Sequence, residues 1–431
     1  MPIQIGLPAE PAWQFAEVEP TTFVAFLVGE ELPDPGDAFL AAQRAFGKEP
    51  QEVEPLPLEA PEIAWAFSFG VPGREMPVVV WCERVARGAT PDGLVPDACW
   101  AIAVQSVVDG ARAVDDAVAL GASAAGSGGA RAALLFDALQ RAAYAPEDFR
   151  EIFLGEVDGA LARGELADES LLYRVELVAR DPSQGPYWLH TTGLARLGRP
   201  ELELLEIPAS LVAPAVALLE SLAGRFIDDE PPHAGVPFEA GAGLRVALVP
   251  ALEAIETLSP DAAGGVEDRA RRGLGGPRAA VCAAGKRGSY RAVWVPPLEE
   301  LARLGAGTAG ITMPPRTVVV SERRARLHWP RFVRAAGRER APGSRFEVKL
   351  GRPAIASAGE EPREHRWYEF LEGSATGGKA RALPSDAQAS AQAQAVEFAF
   401  SLDELTDWRV LGLRADLPEI GPGSSRFLEA P

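Results

Sequence analysis

The chain is poor in the residues on which much catalysis and most nucleic-acid binding depend. It holds four histidines and three cysteines in 431 residues. Cys82, Cys99 and Cys282 are widely spaced and form no C-x-x-C. Neither a disulfide framework nor a structural zinc site follows from them. Cys82 and Cys99 each adjoin a tryptophan in an apolar run and read as small buried hydrophobes. No apolar run of the roughly 18 residues a membrane span needs stands out. The opening Met1-Pro2-Ile3-Gln4-Ile5-Gly6 lacks the basic and apolar regions of a signal peptide. The expectation is a soluble, cytoplasmic protein with no membrane partner. Walker, dinucleotide, G-x-S-x-G, H-E-x-x-H and kinase motifs are all missing. The Gly/Ala/Ser-rich run from Gly121 to Gly129 fits no phosphate cradle. No cofactor and no metal is expected, and no repeat at a solenoid period is visible.

What is there is ordinary globular material, 47% hydrophobic and 24% charged, long enough for two or three domains. The charge is not ordinary. Sixty-one acidic residues against 42 basic ones give a formal net of −19. That balance opposes the basic footprint of a nucleic-acid binder and suits a basic protein partner. The acid is concentrated: residues 1–70 carry twelve carboxylates against Arg44 and Lys48, a net of −10. Residues 322–349 carry nine basic against three acidic side chains, a net of +6. Lysine occurs only at positions 48, 286, 349 and 379. Arginine preference with heavy Ala, Gly and Pro use is the composition of a GC-rich bacterial genome.

Patterning predicts an α+β protein of two or three modules, with mostly antiparallel or mixed sheets and flanking helices. An acidic α+β module spans 1–95, with a strand at 23–28, a helix at 37–46, and strands at 63–69 and 76–84 about a Val71-Pro72-Gly73 turn. A central α+β domain spans 96–258. It opens with a strand at 99–108 and a helix at 131–143, followed by strands at 172–179, 187–192 and 201–207. Its clearest helix starts at Ser210 as cap, with Pro214 in the first turn and Leu211, Leu218, Leu222 and Phe226 on one face. A strand at 244–249 and a short helix after Pro250 close this domain. Residues 259–277, polar and rich in Gly and Pro, read as a linker. A small β-rich C-terminal domain with one basic helix fills 278–431. Its strands are expected near 278–283, 289–295, 316–320, 346–350, 365–371 and 396–400. The Ala/Gln/Ser tract at 385–395 reads as a loop extension. Leu327, Trp329, Phe332, Val333 and Ala336 mark the buried side of the basic helix and its arginines the solvated side.

Residues 187–207, Tyr-Trp-Leu-His-Thr-Thr-Gly-Leu-Ala-Arg-Leu-Gly-Arg-Pro-Glu-Leu-Glu-Leu-Leu-Glu-Ile, resemble the segment W-L-H-T-H-G-L-x-R-x-G-x-x-E-L-E-L-L of a bacterial domain family of unknown function. The resemblance extends over about 97–257. Phe346-Glu347-Val348-Lys349, Glu364-His365-x-Trp367 and Asp407-Trp408 resemble a second such family, a small β-rich domain, over about 320–412. Neither resemblance implies an activity. The first family's H-T-H would set two imidazoles on one strand face, a geometry fit for a metal or a proton relay. Here Thr192 takes the second place, which removes that pair.

Two constellations remain as candidates. His190, with Glu203 or Glu201 on the next predicted strand and Thr191 and Thr192 beside it, can form a dyad able to move a proton. The competing reading is a core histidine bonded to a neighbour. His365, Trp367, Asp407 and Trp408 can line a ligand groove, or equally the packed edge of a small barrel. Asp228-Asp229-Glu230 with His233 reads as a helix exit rather than a cation site, and Gly285-Lys286-Arg287-Gly288-Ser289 as a hairpin turn. Stacking aromatics among the arginines of 323–345 are the one local hint of nucleic acid.

With no complete catalytic set, the chain is expected to act by binding a protein, for instance as an immunity-like inhibitor on the basic face of a toxin nuclease. A hydrolase built on His190 and Glu203 is the alternative. A third reading is a self-assembling scaffold, its acidic start attracting its basic helix between protomers.

Overall fold

In the computed structural model the described residues are 18–58, 60–157, 160–161, 166–181, 185–259, 262–274, 276–285, 294–311, 315–338, 343–353, 363–383, 397–412 and 419–422. The fold is α+β, built on three main sheets. Packing divides the chain into one unit of 1–149 with 169–314 and another of 150–168 with 315–431.

The first unit opens with β1 (Thr21–Val28), α1 (Pro35–Phe46), β2 (Gln51–Pro55), β3 (Ile63–Gly70), β4 (Val78–Arg84) and β5 (Ala98–Ser106). Then come α2 (Ala113–Ser127), β6 (Ala132–Asp137), β7 (Ala142–Tyr144) and α3 (Pro146–Phe149). The strands form an antiparallel sheet in the order β2-β3-β4-β5-β1-β6-β7. Asp34 caps α1 by accepting from the Gly36 amide at 2.7 Å. The small residues of 121–129 let α2 approach closely: a Cβ on Gly121 would lie 2.3 Å from Phe149 Cζ. That run is therefore packing surface, not a loop.

Residues 131–143, expected as a helix, are instead β6, a turn and β7. Alanine favours a helix, but Leu134, Leu135 and Phe136 alternate as a strand and pair with β1. Asp137 then fixes the turn by accepting from the Leu139 and Gln140 amides, each at 3.0 Å.

A short excursion follows, carrying β8 (Glu156–Val157) and β9 (Ala160–Leu161), and belongs to the second unit. The first unit resumes with β10 (Arg174–Ala179), β11 (Tyr187–Thr192), β12 (Glu201–Ile207) and α4 (Val212–Asp228). It continues through β13 (Phe238–Gly241), β14 (Leu244–Pro250), α5 (Ala251–Ile255), α6 (Val266–Arg272), β15 (Arg278–Ala283) and α7 (Leu298–Gly305). The sheet runs β10-β11-β12-β15-β14-β13, parallel at β12/β15 and antiparallel elsewhere. Ser210 lies in a 3-10 turn ahead of α4 and does not cap it. Residues 209–228 reach a mean hydropathy of 1.5, enough by length and composition to cross a bilayer, although no such run stood out in the sequence. Half of that stretch is buried within the protein.

These two sheets alter the partition drawn from the sequence. β5 lies between β4 and β1, so no boundary falls at 95/96. β15 lies between β12 and β14, and the stretch read as a linker holds α6. The two sheets are joined through a fully buried ion pair: Arg196, in the turn after β11, donates from Nη2 to both Asp137 oxygens at 2.9 Å.

The second unit contains α8 (Pro315–Gly337), β16 (Arg345–Pro353), β17 (Arg363–Ser374), β18 (Gly377–Ala382), β19 (Glu397–Ser401), β20 (Leu405–Leu411) and β21 (Glu419–Ile420). Its antiparallel order is β19-β18-β17-β16-β20-β21. Residues 316–320, expected as a strand, are the first turns of α8. Further along α8, Trp329 and Phe332 bury their rings against Phe346, Phe370 and Trp408. The arginines of α8 are not all solvated. Arg331 pairs with Glu151 at 2.7 Å and Arg324 with Asp168 at 3.4 Å, both carboxylates of the excursion. Most of the strand expected at 289–295 and the tract at 385–395 lie outside the described residues.

Replacing Arg196 by Met strands a buried Asp137 carboxylate. The expected loss is about 3–5 kcal/mol in urea unfolding, and Asp137→Leu in the same chain restores part of it.

Candidate functional site

β11 alternates. Trp188 and His190 point to one face, Leu189 and Thr191 to the other. On the ladder His190 stands opposite Glu176 of β10 and Glu203 of β12. The structure thus brings His190 and Glu203 onto neighbouring strands, as expected, but encloses both completely.

Glu203 does not face a free imidazole. Arg269 of α6 grips it with two hydrogen bonds, the Nη1–Oε1 one at 2.7 Å, and Arg278 at the start of β15 donates Nε–H to Oε1. Burial alone would raise this carboxyl. The hydrogen bonds and charges of the two arginines outweigh it and hold Glu203 below the usual carboxylate range. A carboxylate so held is a weak base.

His190 is the counterpart. Arg278 Nη2 lies 3.2 Å from His190 Nδ1, which is also 3.2 Å from the Thr191 carbonyl. The guanidinium can only donate and the carbonyl only accept, so Nδ1 serves one of them according to the tautomer. Nε2 is 3.7 Å from Glu176 Oε2 and makes no hydrogen bond. Burial, and then the Arg278 charge, push the imidazole down to about 4. The Thr191 carbonyl, Glu176 and Glu203 act weakly the other way. The ring is neutral at physiological pH and packs on Trp188 at 4.3 Å between centroids. Arg269 stands over the same indole at 4.9 Å.

Glu201 lies apart from this group. It accepts from Thr191 Oγ1 at 2.7 Å and from the Gly193 and Ala195 amides at 2.8 and 3.3 Å. Burial raises its carboxyl against those bonds and the Arg278 charge. Its work is to shape the turn after β11. Gly193 there has φ +116°, and a Cβ would lie 2.4 Å from the Leu172 carbonyl. Thr192, in place of the second histidine of the H-T-H pattern, donates to the Gln140 carbonyl at 3.4 Å.

The second constellation is divided by its sheet. Trp367 and Asp407 both stand opposite Lys349, on β17 and β20. Arg409 lies 4.2 Å and Lys349 5.9 Å from the Trp367 ring centre. Trp408 points the other way, fully buried, and donates its indole N–H to the Ala325 carbonyl of α8 at 3.0 Å. His365 pairs with Gly351 on the ladder, and its side chain lies outside the described residues. Trp367 and Asp407 therefore share one face of the sheet, and Trp408 belongs to the other.

Asp229 is held by Arg225 at 3.1 Å. Among the described residues no group of three or more His, Cys, Asp or Glu side chains could hold a metal ion. Residues 286–289 of the basic turn lie outside the described residues. Cys82 and Cys282 are buried free thiols, pushed up to about 12 by burial.

Sequence reasoning missed Glu176, Arg269 and Arg278. Glu176 had a signal, since antiparallel pairing of 174–179 with 187–192 sets it against His190. Arg269 and Arg278, 66 and 75 residues from Glu203, had no local one.

Residues 175–280 match the family described as "protein of unknown function (DUF4026) C-terminal". No curated protein and no solved structure matches the chain. Glu176, Trp188, His190, Glu203, Arg269 and Arg278 all fall inside the matched segment.

Because the folded protein resists protonating His190, the unfolded chain binds more protons between pH about 6.5 and about 4. Stability should fall as pH drops through that window, by at most about 1.4 kcal/mol per pH unit from this group. His190→Gln keeps an acceptor for Arg278 and should flatten that part of the urea-unfolding profile.

Proposed function

We propose that this chain is a non-catalytic binding protein that works in the cytoplasm on a basic protein partner, in the manner of an immunity-like inhibitor. The observation that carries the reading is the disposition of charge in the first sheet module. Eight carboxylates between Glu30 and Glu62 are exposed, against exposed Arg44 and Lys48. Among the described residues Glu30 alone of these carboxylates forms an ion pair, with Arg84. Such a field raises encounter rates with a cationic surface and gives a salt-sensitive complex. The hydrolase alternative draws nothing from the geometry, since Glu203 is held by two arginines and His190 is enclosed and neutral. The scaffold alternative loses part of its basic helix, because Arg324 and Arg331 already face carboxylates of their own unit.

The test is capture by the tagged full chain from host lysate at low and high salt, read by mass spectrometry, followed by titration with the purified candidate. A basic protein held at low salt and released at high salt is the expected result. A folded chain that retains no such protein overturns the proposal, and a salt-sensitive self-associated form in sedimentation favours the scaffold.

A further inference from the structure

The seven-stranded sheet is covered by helices on one side. α2 packs on β1, β5 and β6, and α1 rests on α2 and reaches Phe69 of β3. Strand alternation sends Phe23, Ala25, Leu27, Val80, Ile102 and Val104 toward the helices. The other face is also apolar. Its middle row, read straight across the ladders of β6, β1, β5, β4 and β3, is Phe136, Val24, Ala103, Trp81 and Ala66. At about 4.8 Å per strand that row is about 19 Å wide. The next row holds Leu134, Phe26, Ala101 and then Glu83. Val24, Trp81 and Phe136 are left half-buried, and among the described hydrophobic side chains Val85 and Val95 of the β4–β5 connection pack from outside the sheet on the cluster of Phe26, Ala98, Ala101 and Leu134.

Carboxylates border the face at both ends of its strands. At one end Glu83 stands beside Ala101, and Glu30 comes within 3.7 Å of Cys99 Sγ. The connection that borders this end carries Asp92 and Asp97 against Arg87. At the opposite end Gln105 donates to Thr22 Oγ1 at 2.8 Å, and the row through Val79 and Ser68 ends on the exposed Glu54 of β2. A wide apolar sheet face on a soluble chain marks an interaction site, and the charge at its border selects what can land there.

We infer that the helix-free face of this sheet is where the basic partner docks, through an amphipathic segment whose apolar side covers the Phe136–Trp81 row and whose cationic side chains meet Glu83 and Glu54 at the two ends of the face. The inference rests on the binding function proposed above and adds the surface and the chemistry of the occupant. A second copy of this chain is the poorer occupant, because its own face brings Glu83 and Glu54 rather than cations.

The test uses the full chain and two synthetic amphipathic helical peptides of one pattern, Leu/Lys and Leu/Glu, followed by fluorescence anisotropy at low salt. The Leu/Lys peptide should bind and the Leu/Glu peptide should not. Trp81→Glu adds a negative charge, so attraction by charge alone would persist or grow. Docking on the face instead predicts a loss of about tenfold or more. Hydrogen exchange on the unmodified chain gives a check that needs no variant: peptide should protect the amides of β1, β4, β5 and β6. Undiminished binding by Trp81→Glu, protection confined to other segments, or a dimer that Trp81→Glu dissociates would each overturn the assignment. If Trp81→Glu still captures the partner found in lysate, the face is wrong while the binding function stands; if the unmodified chain captures none, the binding function itself fails.

Discussion

A carboxylate enclosed in a sheet must be paired, and the pairing of Glu203 organises the second sheet of this protein. Leaving such a charge bare inside the fold would cost several kcal/mol. Its partners come from α6 and from β15, so the chain between residues 259 and 278 has to return to β12 instead of leaving as a linker. Burial, and then the charge of the same Arg278 that neutralises Glu203, keep the His190 ring unprotonated. The pairing of Glu203 thus accounts for the path of the chain and adds to the burial that holds the histidine neutral.

Charge is distributed by a simple rule across the described residues. Arg196, Arg278, Arg269, Arg324 and Arg331 are buried or nearly so, each facing a carboxylate in its own unit. Much of the acid left over stands outside, on α1 and the early strands. The net of −19 is therefore largely a property of the surface.

How far the fold could be read in advance followed the range of the interactions that decide it. β11, β12 and β15 occupy the expected residues, because their apolar runs are bounded by glycine, proline or a turn. The neighbourhood of His190 and Glu203 was legible too, since a short turn joins their strands. Local preference was overridden twice: alanine-rich 132–137 is a strand paired with β1, and valine-rich 316–320 is helical. Arg269 and Arg278 carry no mark of their role, because what makes them partners of Glu203 is a ladder and a helix end brought from far along the chain. Trp408 adjoins Asp407 in sequence yet faces the core, as the period of two dictates for neighbours on a strand.

The second unit is assembled from two separated pieces, and that has a consequence for its birth on the ribosome. Glu151 is 180 residues ahead of Arg331, and the Ile152 carbonyl is 172 ahead of Arg324. At about 5–20 residues per second, translation leaves the excursion waiting about ten to thirty seconds for these partners. In that interval the rest of the first unit, residues 169–314, emerges and can join residues 1–149. The order of assembly is therefore written into the chain: the sheets flanking residues 150–168 can close first, and the second unit is completed only when α8 arrives.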